Sequence, residues 1–152
     1  MSIAYIALGT NLGDKEKNLK QALLFLMQQG VEVIKVSKFM LTEPYGVLDQ
    51  PKFLNAVCKV NTYLEPCALL RTLLAVEQAM GRVRLRRWGE RNIDLDLLLY
   101  ENVVMNTPLL MLPHPDMQNR DFVLLPLAEI SPELMHPVLN KSMEQLKKEL
   151  KK

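Results

Sequence analysis

Ile93-Asp94-Leu95-Asp96-Leu97-Leu98-Leu99-Tyr100 reads as a β-strand whose first half alternates apolar and acidic residues. On an extended chain, residues two apart share a face, with Cα atoms about 6–7 Å apart. The alternation sends Ile93, Leu95 and Leu97 towards a core and sets Asp94 and Asp96 side by side on the other face. Upstream, Pro66 suits the first turn of a helix that Gly81 ends, and a long strand spans 53–62. A further strand covers 31–39. Before it, Leu19, Ala22, Leu23, Leu26 and Met27 form one stripe of a helix from Asp14 to about 29, stopped by Gly30. Residues 3–8 are a short apolar run ending at Gly9, read as a buried strand.

The order strand, helix, strand, strand, helix, strand predicts an α+β fold, the ferredoxin-like split βαβ (βαββαβ). Its antiparallel sheet carries helices on one face, and extra C-terminal elements cover part of the rest. Those elements are a short helix near 122–129 and an amphipathic helix near 141–150. The segment 42–51, with two prolines and a glycine, is a loop. No repeat or linker divides the chain, so one domain over 1–152 is expected.

A content of 49% hydrophobic and 24% charged residues marks a globular chain and excludes a disordered one. The net charge of +2 lacks the basic excess of a general nucleic-acid or membrane binder. No stretch approaches the roughly 20 apolar residues of a membrane span, and the N-terminus has no signal-peptide pattern. Cys58 and Cys67 form no CxxC motif and have no histidine cluster nearby, so two reduced thiols and a cytoplasmic location are expected.

Two like charges on neighbouring positions of one face repel, and a structural strand gains nothing from them. Hard oxygen ligands so placed suit Mg²⁺, which binds through one or two carboxylates plus substrate phosphates; a solvated strand face is the competing reading. Arg82, Arg84, Arg86, Arg87 and Arg91 put five of the seven arginines within ten residues, directly before the acidic pair. The guanidinium fork grips phosphate oxygens in pairs, so a polyphosphate substrate fits this juxtaposition, with a nonspecific nucleic-acid loop as the alternative. Glu77 falls on the apolar stripe of the second helix, near the end where the helix dipole disfavours an anion. It needs a partner, in the following loop or on a ligand. Phe53 and Asn55 share a strand face and can stack a flat heterocycle and read its edge, or serve simply as a core ring and its polar neighbour. His114, between prolines, and Arg120 can touch phosphate or be structural. Gly9-Thr10-Asn11-Leu12-Gly13-Asp14-Lys15 is not a Walker A loop, and no G-x-S-x-G, H-E-x-x-H or G-x-G-x-x-G occurs.

Several ordered blocks resemble the 6-hydroxymethyl-7,8-dihydropterin pyrophosphokinase (HPPK) family of folate biosynthesis. They are Ala7-Leu8-Gly9-Thr10-Asn11-Leu12-Gly13, Thr42-Glu43-Pro44-Tyr45-Gly46 and Gln50-Pro51-Lys52-Phe53-Leu54-Asn55. To these are added Glu77-Gln78-Ala79-Met80-Gly81-Arg82, Arg87-Trp88-Gly89-Glu90-Arg91 with the acidic strand, and Pro113-His114 through Arg120 and Phe122. The resemblance implies transfer of diphosphate from ATP to the pterin hydroxymethyl group, releasing AMP. It implies that Asp94 and Asp96 bind two Mg²⁺ ions, that Phe53 and Phe122 sandwich the pterin, and that Asn55 bonds the pterin edge with Thr42 and Tyr45 beside it. Glu77, Arg84, Trp88, Arg91, Leu97, His114 and Arg120 fall at ATP-contacting positions; Arg82, Arg91 and Asp96 take the catalytic roles. Glu90, where the family commonly has proline, and Leu109 and Met111, where some members have polar residues, depart from the pattern. The expected partners are small molecules alone, without nucleic acid or membrane, and the expected state is a monomer. A nucleic-acid module of similar topology and a regulatory nucleotide-binding domain are the rival readings.

Overall fold

A computed structural model describes residues 1–43, 49–81 and 92–150. The long elements are β1 (Ser2–Thr10), α1 (Lys15–Gln28), β2 (Val31–Val36), β4 (Phe53–Thr62), α2 (Pro66–Ala79) and β5 (Asp94–Tyr100). Shorter ones are β3 (Met40–Thr42), β6 (Met105–Asn106), β7 (Met111–Leu112), a 3-10 turn (Met117–Asn119), α3 (Asp121–Ile130) and α4 (Met143–Lys148). Four strands lie in the order β2-β4-β1-β5, with β3 also paired to β4. Every strand pairing is antiparallel. The expected strand at 31–39 stops at Val36, and the chain re-enters the sheet as β3. Gly9 does not end β1: the strand runs on to Thr10, and Gly9 is paired on both sides.

Local chemistry sets the helix ends. Asp14 caps α1 by accepting from the Lys17 amide at 3.1 Å, and Gly30 takes the positive φ that favours glycine after it. Glu65 caps α2, accepting from the Cys67 and Ala68 amides, with Pro66 in the first turn. On α1 the stripe Leu19, Ala22 and Leu26 is fully buried, whereas Met27, expected to share it, is 54% exposed.

The sheet has a core on each side. Ala4, Ile6 and Leu8 of β1, Ala56, Cys58 and Val60 of β4, and Leu95 and Leu97 of β5 pack with α1 and α2. On the other face Tyr5, Val57, Leu98 and Leu99 pack with Met117, α3 and α4. The C-terminal elements thus form a second layer. A bulge arranges the switch: Tyr5 pairs Leu99 while Ile6 pairs Leu97, so Leu98 is an extra residue on β5. Because of it, two consecutive leucines feed the second core and Tyr100 returns to the first. Burial of Cys58 pushes its thiol up to about 12, so at neutral pH it is an apolar core residue. No helix among the described residues is long and apolar enough to cross a membrane.

His136 fixes the turn that brings α4 back. Its Nδ1 accepts from the Val138 and Leu139 amides at 3.2 and 3.1 Å, and its own amide donates to the Lys141 carbonyl. The residue is buried, and burial lowers its pKa below the ordinary 6.5. A protonated Nδ1 cannot accept, so the folded state favours the neutral ring. A depressed folded pKa contributes stability above the unfolded value and loses it as pH falls. We therefore expect the unfolding midpoint to decline from pH 6.5 downwards. His136→Gln should make that decline shallower without abolishing it, because His114 is shifted the same way. Thermal melts of both proteins between pH 8 and 5 check this.

Candidate functional site

Register builds one side of the site. Asp94 lies opposite Gly9, which lies opposite Asn55; Asp96 lies opposite Ala7, which lies opposite Val57. Directly opposed residues share a sheet face. Leu95 and Leu97 point into the helix-side core, so Asp94 and Asp96, both half-exposed, stand on the face that carries α3. The acidic pair therefore shares a face, as its spacing predicts. Gly9 matters at the centre of this row. A Cβ there would sit 3.1 Å from Asn55 Oδ1 and 3.8 Å from Phe53 Cδ1. The missing side chain lets the carboxamide and the ring lean over β1, towards the strand bearing the aspartates. Asn55 is buried, and its Nδ2 donates to Thr42 Oγ1 at 2.6 Å, fixing the amide against β3.

The other side comes from the segment after β7. The His114 amide donates to the Leu98 carbonyl at 2.9 Å, which ties the Pro113–Asp116 turn to β5. Burial first, and the Arg120 charge second, lower the His114 pKa, while Asp116 and Asp94 oppose the shift. His114 thus lies within electrostatic reach of Asp94. Its Nδ1 accepts from the Asp116 amide at 3.4 Å, which leaves the neutral ring's proton on Nε2. Arg120 approaches Asp116 at 3.6 Å and holds its guanidinium 5.8 Å from the Phe122 ring centroid, a cation–π geometry. Phe122 is half-buried at the start of α3, against the second core. Phe53, Asn55, Thr42, Asp94, Asp96, His114, Arg120 and Phe122 are therefore grouped around one sheet face and the segment that covers it.

Two sequence-predicted residues face elsewhere. Leu97 is buried in the helix-side core, so from that position only backbone atoms reach the aspartate face. Glu77 is buried on α2, and its Oε2 accepts from the Leu95 amide at 2.7 Å. The partner its position demanded includes the backbone of the acidic strand itself. Tyr45, Arg82, Arg84, Arg86, Arg87, Trp88, Glu90 and Arg91 lie outside the described residues. Leu109 is 78% and Met111 43% exposed, on and beside the β6–β7 turn. Sequence reasoning missed Gly9 as a site residue; a glycine inside a strand, marking a close approach of neighbours, was the available signal.

The donor set suits magnesium. Two carboxylates on one strand face supply hard oxygens, and Mg²⁺ takes one or two of these while completing its shell with water and phosphate. Among the described residues, no three His, Cys, Asp or Glu side chains gather into a metal-ligating group.

Comparison with known proteins identifies the family to which the chain is similar. The profile of the 7,8-dihydro-6-hydroxymethylpterin-pyrophosphokinase (HPPK) family matches residues 5–132. A 2-amino-4-hydroxy-6-hydroxymethyldihydropteridine pyrophosphokinase of Haemophilus influenzae is 46% identical over 138 residues, covering 90% of this chain and 86% of its own. The Bacillus subtilis protein of the same name is 48% identical over 130 residues, covering 85% and 78%. The folic acid synthesis protein fol1 of Schizosaccharomyces pombe is 43% identical over 94% of this chain, which spans only 20% of that longer protein. In fold, the chain resembles the wild-type HPPK-DHPS of Plasmodium falciparum with a TM-score of 0.77 at 17% identity, covering 97% of this chain and 44% of that one.

The Glu77 contact has a measurable consequence. Glu77→Ala leaves the buried Leu95 amide without this acceptor, and should cost about 1–3 kcal/mol of stability. Urea unfolding of the variant checks it.

Proposed function

Because the chain belongs to the 7,8-dihydro-6-hydroxymethylpterin-pyrophosphokinase family, we propose that it transfers diphosphate from ATP to 6-hydroxymethyl-7,8-dihydropterin, yielding AMP and the pterin diphosphate for folate biosynthesis. The observation that carries this reading is the Asp94–Gly9–Asn55 row, with acids at one end of a sheet face and an aromatic–amide pair at the other. Such a row holds a polyphosphate beside a flat heterocycle.

In this reading the pterin ring stacks between Phe53 and Phe122, and the Asn55 carboxamide, set by Thr42, bonds its polar edge; Tyr45 adds a backbone contact. The hydroxymethyl group then projects along the face towards Asp94 and Asp96. These two carboxylates would hold the two Mg²⁺ ions, whose chemistry when bound would be charge neutralisation on the phosphates and acidification of the attacking hydroxyl. The hydroxymethyl oxygen attacks the β-phosphorus in line; the bridge to the α-phosphorus breaks and AMP leaves with the electron pair. Arg82 and Arg91 offset the charge that develops on the transferred group, and Asp96 accepts the hydroxyl proton. His114 and Arg120, with Glu77, Arg84, Trp88 and the Leu97 backbone, form the nucleotide side. His114 is kept neutral by burial and by Arg120, so its Nε2–H donates to a phosphate oxygen without adding charge.

We also assign the ferredoxin-like split βαβ fold, supported by the strand order β2-β4-β1-β5, and a single cytoplasmic, monomeric domain acting on small molecules alone.

The decisive assay is AMP release from ATP. We expect it to require added 6-hydroxymethyl-7,8-dihydropterin and a divalent cation; release indifferent to the pterin refutes the proposal. Asp94→Ala and Asp96→Ala should each lower turnover about a hundredfold or more with unchanged thermal melts, and wild-type-like turnover at limiting Mg²⁺ would remove them from the metal site. Gly9→Ala pushes a methyl group against Asn55 Oδ1 and should raise the pterin KM about tenfold, or ~1.4 kcal/mol, as steady-state kinetics will read.

A further inference from the structure

A buried polar cluster outside the site just described joins the ends of three strands. At the end of β1, Asn11 is 1% exposed; its Nδ2 donates to Gln50 Oε1 at 2.8 Å and to the Pro51 carbonyl at 3.0 Å. Gln50 is itself buried. The neighbouring Thr10, fully buried, donates its hydroxyl to the Asn92 carbonyl at 2.6 Å and accepts from Asn18 Nδ2 of α1 at 3.2 Å. Asn18 Nδ2 also donates to the Leu12 carbonyl. Asn92 Nδ2 in turn donates to the Met80 carbonyl at the end of α2, at 2.6 Å.

These bonds fall at the starts of two strands. Gln50–Pro51 lies just before β4, with Pro51 two residues ahead of Phe53 and four ahead of Asn55. Asn92 is two residues ahead of Asp94 and four ahead of Asp96. Thr10, the last residue of the central strand, and Asn11, the first beyond it, thus grip the entry points of both strands that flank it. The site face spans all three strands, and this grip anchors by side chains the points where the flanking strands enter their backbone ladders.

We propose that Thr10 and Asn11 are positioning residues for the two half-sites: Asn11 sets the strand start that presents Phe53 and Asn55, and Thr10 sets the one that presents Asp94 and Asp96. The proposal rests on the pterin–ATP reading. Loss of either grip shifts one strand start and leaves the other in place, so the two residues have opposite kinetic signatures. A role in stability alone would lower the amount of folded enzyme, and hence kcat, without raising either KM.

The test compares Asn11→Ala, Gln50→Ala and Thr10→Val with the unaltered protein, in steady-state AMP release and in calorimetric titration with α,β-methylene-ATP, whose α–β bridge cannot break. We expect Asn11→Ala and Gln50→Ala to raise the pterin KM about tenfold, the scale of one buried hydrogen bond, with analogue affinity within about twofold. Thr10→Val should weaken the analogue about tenfold and leave the pterin KM nearly unchanged. Gln50→Ala reads the same grip from its far side if Asn11→Ala fails to fold. Equal effects of all three on both substrates, or a fall in kcat alone, overturns the proposal. Absence of pterin-dependent AMP release in the unaltered protein instead overturns the functional reading beneath it.

Discussion

The register of β1 against its two neighbours is the constraint on which the site depends. A strand hydrogen-bonded on both edges cannot slip by itself without breaking both of its ladders. A slip of one residue would turn every side chain to the opposite face. Here it would drive Asp94 and Asp96 in among the apolar side chains packed against α1 and α2, and take Ile6 and Leu8 out of that core. Hydrophobic burial on two faces therefore enforces the register, at about 25 cal/mol per Å² of apolar surface removed from water. The acids stay in line with Gly9 and Asn55 because the leucines between them stay in the core.

Antiparallel sheets often leave one face to water; this one does not. The bulge at Leu98 turns two successive leucines into the second core. The same segment carries Asp94 and Asp96 on that face nearer the strand's beginning. One face of β5 is thus divided along its length, acidic at one end and apolar at the other. α3 covers the apolar end and carries Phe122 and Arg120 to the boundary. The His114–Leu98 hydrogen bond sits at that boundary and helps locate the covering segment relative to the acids.

What the sequence made legible follows from how local the signal is. The periodicities of β1, β4, β5, α1 and α2 are written in consecutive residues, and so are the Asp14 cap and the glycines at 30 and 81. The face shared by Asp94 and Asp96 needed only the two-residue period. β3 was hidden because three residues, Met40–Thr42, pair with β4 beside a loop rich in proline. β6 and β7 have two residues each, too few for any period. The Leu98 bulge depends on the partner strand and leaves no mark in an unbroken leucine run. Met27 continued the α1 stripe by spacing yet lies at its edge, outside the core. Glu77 announced itself as a misplaced anion, but its bond to the Leu95 amide is visible only once α2 lies along β5. Asn11 and Gln50 gave no such warning, since a polar residue after a strand is what any loop contains.

The acidic pair sets the electrostatic problem that the rest of the face must solve. Two like charges separated by about the 6–7 Å Cα spacing of such strand positions repel by roughly 0.6 kcal/mol in water and by ~2.5 kcal/mol at an effective dielectric of 20. Exposure keeps that cost near the lower figure, and both residues are only half-covered. Closing the site over a ligand moves the pair towards the higher figure, unless positive charge enters with the ligand. The same chain places Arg120 against the covering segment and a run of arginines immediately before the acids in sequence. On the proposed reading, such an acidic face would favour cations and phosphates arriving together over either alone. That selectivity needs no movement of the core: it follows from two like charges held at fixed separation by the leucines on the reverse side of their strand.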